Sequence, residues 1–250
     1  IASGKTLTIS NGSFSGSVSG QGALTKTSGS TLTLIGSNVD GHLGSTTVNA
    51  GTLVFDTDVT LTGQVTNNQA TLLFTSATGT NTLSSLTNNF GGSTIFTGAS
   101  SLTTVTNANG ASLQFNGSTN ITGSLNNLSG SYVEINAGGS INLLSGDGVT
   151  RINNAGVSIN QRFNDGELQV NGSSSINQLL GNGRITLGAT LSVNDGATAG
   201  TIDGNGSLTK NSGSLLILFQ RTPSADPDPA AAEALLVVLA TLGEEIPLPR

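Results

Sequence analysis

A repeat of about 20 residues is the feature that most constrains the fold of this chain. Similar strings begin at positions 65, 86, 105, 125, 144 and 163, and the interval between them is nearly constant. Each string places an apolar residue before an Asn- or Gly-rich corner, and a short alternating strand such as Leu113 to Phe115 follows. Alternation predicts a half-buried strand, and Asn and Gly tolerate the left-handed backbone of tight corners. The unit therefore predicts strands and corners without a helix.

The length of the unit selects among repeat architectures. It is too short for a propeller blade, and it contains neither a helix-length segment nor the leucine pattern of leucine-rich repeats. Three short strands with their turns fit one circuit of a solenoid. We therefore expect an all-β chain: a right-handed, single-stranded parallel β-helix over residues 1–218. About eleven coils spaced by about 4.8 Å would make a rod on the order of 50 Å long.

Stacked coils place equivalent residues above one another, which predicts which side chains form ladders. One ladder of inward apolar residues is expected from Phe74, Phe96, Phe115, Ile135, Ile152 and Val170. Burial of each such side chain stabilises the fold by about 1.5–3 kcal/mol before entropy is considered. A second group of equivalent residues is expected near one corner, formed by Asn67, Asn88, Asn107, Asn126 and Asn164. The last of the six strings begins with Phe163 as its apolar residue.

Composition and charge exclude several function classes. Only 9% of the residues are charged, the net charge is −6, and the eight Lys and Arg residues are scattered. Nucleic-acid binding needs clustered basic residues, so no nucleic-acid partner is expected. The chain has no cysteine, which excludes disulfides and thiolate metal sites. No cofactor-binding motif and no metal site are predicted.

Two segments carry a more specific pattern. Residues 20–38 read GQGALTKTSGSTLTLIGSN and are followed by STTVNAGTLVF at 45–55, whereas residues 204–218 read GNGSLTKNSGSLLIL. Leu24, Lys26, Gly29 and Leu34 align without gaps with Leu208, Lys210, Gly213 and Leu218. These segments resemble the autotransporter-associated β-strand repeat. The first copy departs from that pattern at residues 39–42, where the pattern has an aromatic residue.

The resemblance implies a cellular context as well as a fold. It implies a passenger segment that is exported across the outer membrane to the bacterial cell surface. The partner expected in the full-length chain is a C-terminal outer-membrane β-barrel, which this segment does not contain. The segment itself is expected to have no membrane span.

The segment 219–250 departs from the repeat. All five prolines lie at or beyond residue 223, and the regular glycines end. Asp228 and Pro229 resemble a helix start, so a short helix is expected from about Pro229 to Leu242 within this tail. Its apolar run is too short to span a bilayer. Three interpretations remain open: a cap on the solenoid end, a linker to another domain, or the product of a shifted reading frame.

Candidate catalytic residues are few. His42 is the only histidine and has no partner by sequence, so a solvated loop position is expected and no Ser-His-Asp triad can be assembled. Some parallel β-helices degrade polysaccharides and need acidic and basic residues on one face of neighbouring coils. Residues that could serve are Glu134, Asp147, Arg151, Arg162, Asp165, Glu167 and Arg184. Asp147 and Asp165 lie in Gly-Asp-Gly and Asn-Asp-Gly contexts, which are typical of turns.

The expected function is structural. The sequence favours a non-catalytic surface module, either a rigid extracellular stalk or an adhesive face with an extracellular surface or glycan ligand. Extended solenoid faces suit extended ligands. The alternative is a carbohydrate-active β-helix of the lyase or hydrolase type. A groove with clustered carboxylates would favour the alternative.

Overall fold

A computed structural model describes residues 1–36, 44–198 and 200–211, and the backbone of 216–221, 235–239 and 245–246. Within these residues the chain forms strands only: β1 (Thr6–Ile9), β2 (Gly12–Phe14), β3 (Ala23–Lys26), β4 (Thr31–Ile35), β5 (Thr46–Val48), β6 (Thr52–Asp56), β7 (Thr60–Asn67), β8 (Thr71–Phe74), β9 (Thr80–Asn88), β10 (Ser93–Phe96), β11 (Ala99–Asn107), β12 (Ser112–Phe115), β13 (Thr119–Asn127), β14 (Tyr132–Ile135), β15 (Gly139–Gly146), β16 (Val149–Ile152), β17 (Val157–Asn164), β18 (Glu167–Val170), β19 (Ser174–Leu180), β20 (Ile185–Leu187), β21 (Leu191–Thr198), β22 (Ile202–Gly204), β23 (Leu208–Lys210), β24 (Leu216–Arg221), β25 (Leu235–Leu239) and β26 (Glu245–Ile246).

The chain winds as a parallel β-solenoid. The odd-numbered strands from β1 to β23 pair in order in one sheet, which we call sheet A, and the even-numbered strands from β2 to β22 pair in order in sheet B. Each strand therefore pairs with the strand one coil before it and one coil after it, and these pairs are parallel. The expected all-β solenoid, with one coil for each repeat of the sequence, is confirmed.

The long strands of sheet A contain a bend. In β9 the inward side chains are Asn81 and Leu83 before the bend and Leu86 and Asn88 after it, so the inward phase changes by one residue. In β13 the corresponding inward residues are four apart, and the register shifts against both neighbours. Two of the three strands expected in each coil are thus joined into one bent strand.

The apolar ladder predicted from the repeat is confirmed. Phe74, Phe96, Phe115, Ile135, Ile152 and Val170 lie in register on successive strands of sheet B and are fully buried. Phe55 extends the ladder by one coil. The Phe74 and Phe96 rings are stacked with their centroids 4.4 Å apart and their planes 2° apart. Parallel in-register strands impose this face-to-face arrangement because each ring repeats the position of the ring below it.

The buried corner holds an asparagine ladder, with one correction to its expected members. Asn67, Asn88, Asn107 and Asn127 are fully buried, and each side-chain amide donates to the carbonyl oxygen of the next at 2.9, 2.9 and 3.0 Å. Asn127 occupies the place predicted for Asn126, because Asn107 pairs with Asn127, while Asn126 is half-buried beside Thr106. Asn164 shares the column through Gly146, but its side chain lies outside the described set.

The prediction that the sixth repeat string begins with Phe163 as its inward apolar residue is wrong by one residue. Leu144 pairs with Arg162, and Ser145 pairs with Phe163. The Arg162 side chain therefore points into the core between Leu144 and Leu179, whereas Phe163 is 62% exposed. The physical reason is the bend of β17, where the inward residues Ile159 and Arg162 are three apart.

The two copies of the family-like pattern occupy different columns of sheet A. Lys26 aligns through Val48 with Asn67, in the segment after the bend. Lys210 aligns through Val193 with Ile176, in the segment before the bend. Their shared sequence therefore does not translate into a shared position on the solenoid.

The predicted C-terminal helix is not confirmed. The backbone at Leu235–Leu239 is a strand that pairs antiparallel with Leu216–Arg221, and the other residues of the predicted helix lie outside the described set. Among the residues that the structure describes, no helix has the length and hydropathy needed to cross a membrane.

Candidate binding faces

The outward side of sheet B collects most of the charged residues considered from sequence. Glu134, Arg151 and Asp203 lie on one outward column, which also contains Gln169 and Thr186. Glu167 lies on the neighbouring column, aligned with Val149 and, through it, with Tyr132. We call this surface the charged face; its members are Tyr132, Glu134, Arg151, Glu167, Gln169, Arg184 and Asp203.

Tyr132, Glu134 and Arg151 form the first half of the charged face. The Tyr132 hydroxyl donates to Glu134 Oε1 at 2.9 Å, and Arg151 Nη1 lies 3.6 Å from the same oxygen. The Arg151 guanidinium also lies over the Tyr132 ring, 5.2 Å from its centroid, which is a cation–π distance. Partial burial and the bond to Glu134 raise the pKa of Tyr132 to about 12. The phenol therefore stays protonated at neutral pH.

The second half of the charged face is also internally paired. Gln169 accepts from Arg151 Nε at 2.7 Å and donates to Glu167 Oε1 at 3.0 Å. Arg184 donates through Nε and Nη2 to Asp203 Oδ2 at 3.1 and 2.8 Å, and this contact raises the pKa of Arg184. Each carboxylate of the face thus accepts a hydrogen bond from a neighbouring side chain. A general acid or base on this face would first have to exchange those partners.

The remaining residues considered for catalysis do not join the charged face. Asp147 and Asp165 are exposed at successive copies of one turn, and Asp165 Oδ1 accepts from the backbone N–H of Asn182 at 2.9 Å. Arg162 is fully buried in the core. His42 lies outside the described residues. Across the described ranges, no group of three or more His, Cys, Asp or Glu side chains could hold a metal ion.

Arg162 is an isolated cation in an apolar core. Its Nη2 atom donates to the Gly166 carbonyl oxygen at 3.3 Å, whereas Nε and Nη1 have no hydrogen-bond partner. Desolvation lowers the pKa of Arg162 to about 10, and Asp165 opposes that shift. A buried ion without full hydrogen bonding is strongly unfavourable. Arg162 therefore weakens this coil and has no access to a substrate in solution.

A second surface lies on sheet A, on the segments before the bend. Ser140, Ser158, Ser175 and Ser192 align on four successive strands. Two positions further along each strand, a second column carries an amide ladder in which each Nδ2 donates to the preceding Oδ1 at 2.9, 3.1 and 3.1 Å; its members are Asn142, Asn160, Asn177 and Asn194. Gln161 donates to Gln178 at 2.9 Å in a third column. We call these ten residues the serine–amide face.

The serine–amide face retains much of its hydrogen-bonding capacity. The hydroxyls of Ser158, Ser175 and Ser192 make no hydrogen bond with any described residue. Asn160, Asn177 and Asn194 each use one of their two amide N–H groups on the preceding ladder amide, and Asn142 donates to the Gly123 carbonyl oxygen at 3.4 Å. The second N–H of each amide remains available. A shallow depression of about 310 Å³ adjoins the face, and its lining includes these three serines with Ser173, Ser174 and Thr190.

The serine–amide face was missed in the sequence because its members lie a full coil apart along the chain. The signal was nevertheless present, since Ser-Ile-Asn begins at positions 140, 158 and 175 and Ser-Val-Asn begins at position 192. The apolar middle residue is buried in every copy, and the two polar neighbours therefore point outward. Comparisons of the chain with protein-family models, curated proteins and solved structures find no match.

Proposed function

We propose that this chain is a non-catalytic structural and adhesive module of an autotransporter passenger, displayed on a bacterial cell surface. The observation that carries the proposal is the continuity of the core. One apolar ladder runs from Phe55 to Leu187 without an interruption. A solenoid of this kind holds an outer face in fixed register over its whole length. Such a body suits a stalk or an extended binding face.

The proposal is supported by how the polar residues are used. The buried asparagines bond to one another from coil to coil, and the carboxylates of the charged face accept hydrogen bonds from neighbouring side chains of that face. Both sets of contacts rigidify the coils. Eleven strands in sheet B, at about 4.8 Å per strand, give a body about 50 Å long. The resemblance of residues 20–55 to the autotransporter-associated β-strand repeat supports the passenger assignment. It also supports the right-handed winding and export to the cell surface.

Surface display can be tested on the organism that encodes the chain. Intact cells are labelled with an antibody raised against residues 44–198, before and after treatment with an external protease. We expect labelling of intact cells and its loss after proteolysis. Labelling that requires permeabilised cells would contradict surface display. Small-angle X-ray scattering of the purified chain tests the rod independently, and a compact spherical particle would contradict it.

The alternative function, a carbohydrate-active β-helix, is favoured by one observation. Glu134 and Glu167 lie on the same face of sheet B, two coils apart. The purified chain is incubated with neutral and acidic polysaccharides, and new reducing ends or unsaturated products are measured. We expect none. Product formation that is lost in Glu134→Gln or Glu167→Gln, but retained in Asp56→Asn, would establish the enzyme instead.

A further inference from the structure

We propose that the serine–amide face binds a neutral, extended polysaccharide chain that lies along the solenoid axis. This inference rests on the proposed function, because it names the ligand of the adhesive module. The face offers two parallel columns of side chains over four coils and a third column, Gln161 and Gln178, over two coils. Its groups are hydroxyls and carboxamides, which both donate and accept hydrogen bonds. Sugar hydroxyls have the same dual capacity, so both partners can be satisfied.

The charge of the face selects a neutral ligand. None of its ten residues is ionisable, and the Gln161–Gln178 column continues on the next coil to the carboxylate of Asp195. The whole chain carries a net charge of −6, and a uronic acid or phosphate polymer would be repelled. A peptide ligand would need apolar pockets for its side chains, whereas Ser, Asn and Gln form this surface. The chemistry therefore points to uncharged sugars.

The spacing of successive coils along the face favours an extended polysaccharide as the ligand. Successive coils are about 4.8 Å apart, which is close to the length of one pyranose unit in an extended polysaccharide. Each sugar can therefore meet an equivalent hydroxyl and amide on the next coil. The depression beside Ser158, Ser175 and Ser192 gives space for a substituent that projects from the chain.

Phe163 provides an independent observation on the same strand. It follows Gln161 beyond the bend of β17, and 62% of its surface is exposed. An exposed phenyl ring is a large apolar surface, and the C–H face of a pyranose can pack on it. The column position of Phe163 is occupied by Ser145 on the coil before and by Leu180 on the coil after. The ring thus stands at the border of the serine–amide face.

The experiment measures ligand binding to the full chain by isothermal titration calorimetry. Soluble cello-oligosaccharide and chito-oligosaccharide are the neutral probes, and oligogalacturonate is the anionic probe. We expect binding of at least one neutral probe and none of the anionic probe. Phe163→Ser should weaken neutral binding about tenfold, equivalent to about 1.4 kcal/mol. The matched control is Phe90→Ser, which removes a ring that is 63% exposed on a turn elsewhere and should leave binding unchanged.

A second pair of variants tests the ladder without depending on Phe163. Asn160→Ala with Asn177→Ala removes two amides of the face and should weaken binding about tenfold or more. Asn136→Ala with Asn153→Ala removes two amides of a different outer ladder and should have no effect. Absence of neutral binding, or equal effects in both pairs, would overturn the inference. If the chain is rod-shaped and displayed on the surface but binds no neutral probe, this inference alone is refuted. If the chain is not rod-shaped or is not displayed on the surface, the proposed function is refuted.

Discussion

At the residue scale, the stability of each coil depends on whether an inward polar group finds partners. The inward asparagines after the bend have them, because each amide meets another amide and backbone carbonyls. Asn81, which is buried before the bend, has no partner for either of its polar side-chain atoms. Arg162 occupies a leucine position and leaves two nitrogens without partners. The same sheet therefore contains a satisfied polar ladder and an unsatisfied cation.

Replacement of Arg162 by leucine should stabilise the chain. The substitution matches Leu144 and Leu179 on either side and removes a buried, incompletely bonded charge, so the free energy of unfolding should rise by about 1–4 kcal/mol. Urea unfolding measures it. Arg184→Leu is the control: its ion pair with Asp203 is exposed, and its loss should leave the free energy of unfolding nearly unchanged. A loss of stability in Arg162→Leu would show that the guanidinium is well paired in solution.

Tyr132 gives a pH-dependent signal from the charged face alone, because it is the only tyrosine and the chain has no tryptophan. Tyrosinate absorbance should show a folded-state pKa of about 12, above the ordinary value of about 10. The protonated phenol thus contributes stability fully below about pH 10. That contribution is lost as the pH rises through the folded-state value.

The cause of the raised pKa is tested by substitution of its neighbours. Glu134→Gln removes the carboxylate that accepts the phenol proton and should lower the pKa of Tyr132, although burial should keep it above the ordinary value. Arg151→Gln removes a cation that opposes the shift and should raise the pKa further. An unshifted titration in the unmodified chain would contradict the described contact.

At the scale of the element, the buried ladder should be worth more than an outer ladder of the same chemistry. Asn107 donates to Asn127 Oδ1 at 3.0 Å and to the Tyr132 carbonyl at 2.9 Å, and it accepts from Asn88. Asn107→Ala leaves buried partners unsatisfied and should lower the free energy of unfolding by about 2–4 kcal/mol. Asn153→Ala, on an exposed ladder, should cost about 0.5 kcal/mol. Equal losses in urea unfolding would contradict this difference.

Sequence periodicity predicts a ladder well when equivalent positions on successive coils keep one chemical class of side chain. The ladder from Phe74 to Val170 could be predicted because every unit ends in a large apolar residue after an alternating strand. The positions near the bend could not, because inward residues there are three or four apart, depending on the coil. Because of this variable spacing, the sequence predicted Asn126 and Phe163 as the inward residues, whereas Asn127 and Arg162 are inward in the structure. The serine–amide face combines four coils, so no local window contains it.

At the scale of the whole molecule, each described coil contacts mainly the coils before and after it. Deletion of residues 97–115 removes one complete coil, because Phe96 and Phe115 occupy equivalent positions. The remaining chain should fold, and its longest dimension should decrease by about 4.8 Å in small-angle scattering. Deletion of residues 97–106 removes only about half of a coil, so the coils on its two sides cannot join in register, and the deletion should lower both the stability and the cooperativity of unfolding. Equal behaviour of the two deletions would contradict the columnar core.

The parallel register of both sheets also determines how the molecule responds to force. The backbone hydrogen bonds between coils run along the solenoid axis, so a pull on its two ends loads them one row after another, as in a zipper. A force across the axis instead loads many rows together. The solenoid should therefore peel in steps of one coil under tension at its ends, while it resists bending and shear. A module anchored at one end and held by a ligand along its side would be loaded in its stronger direction.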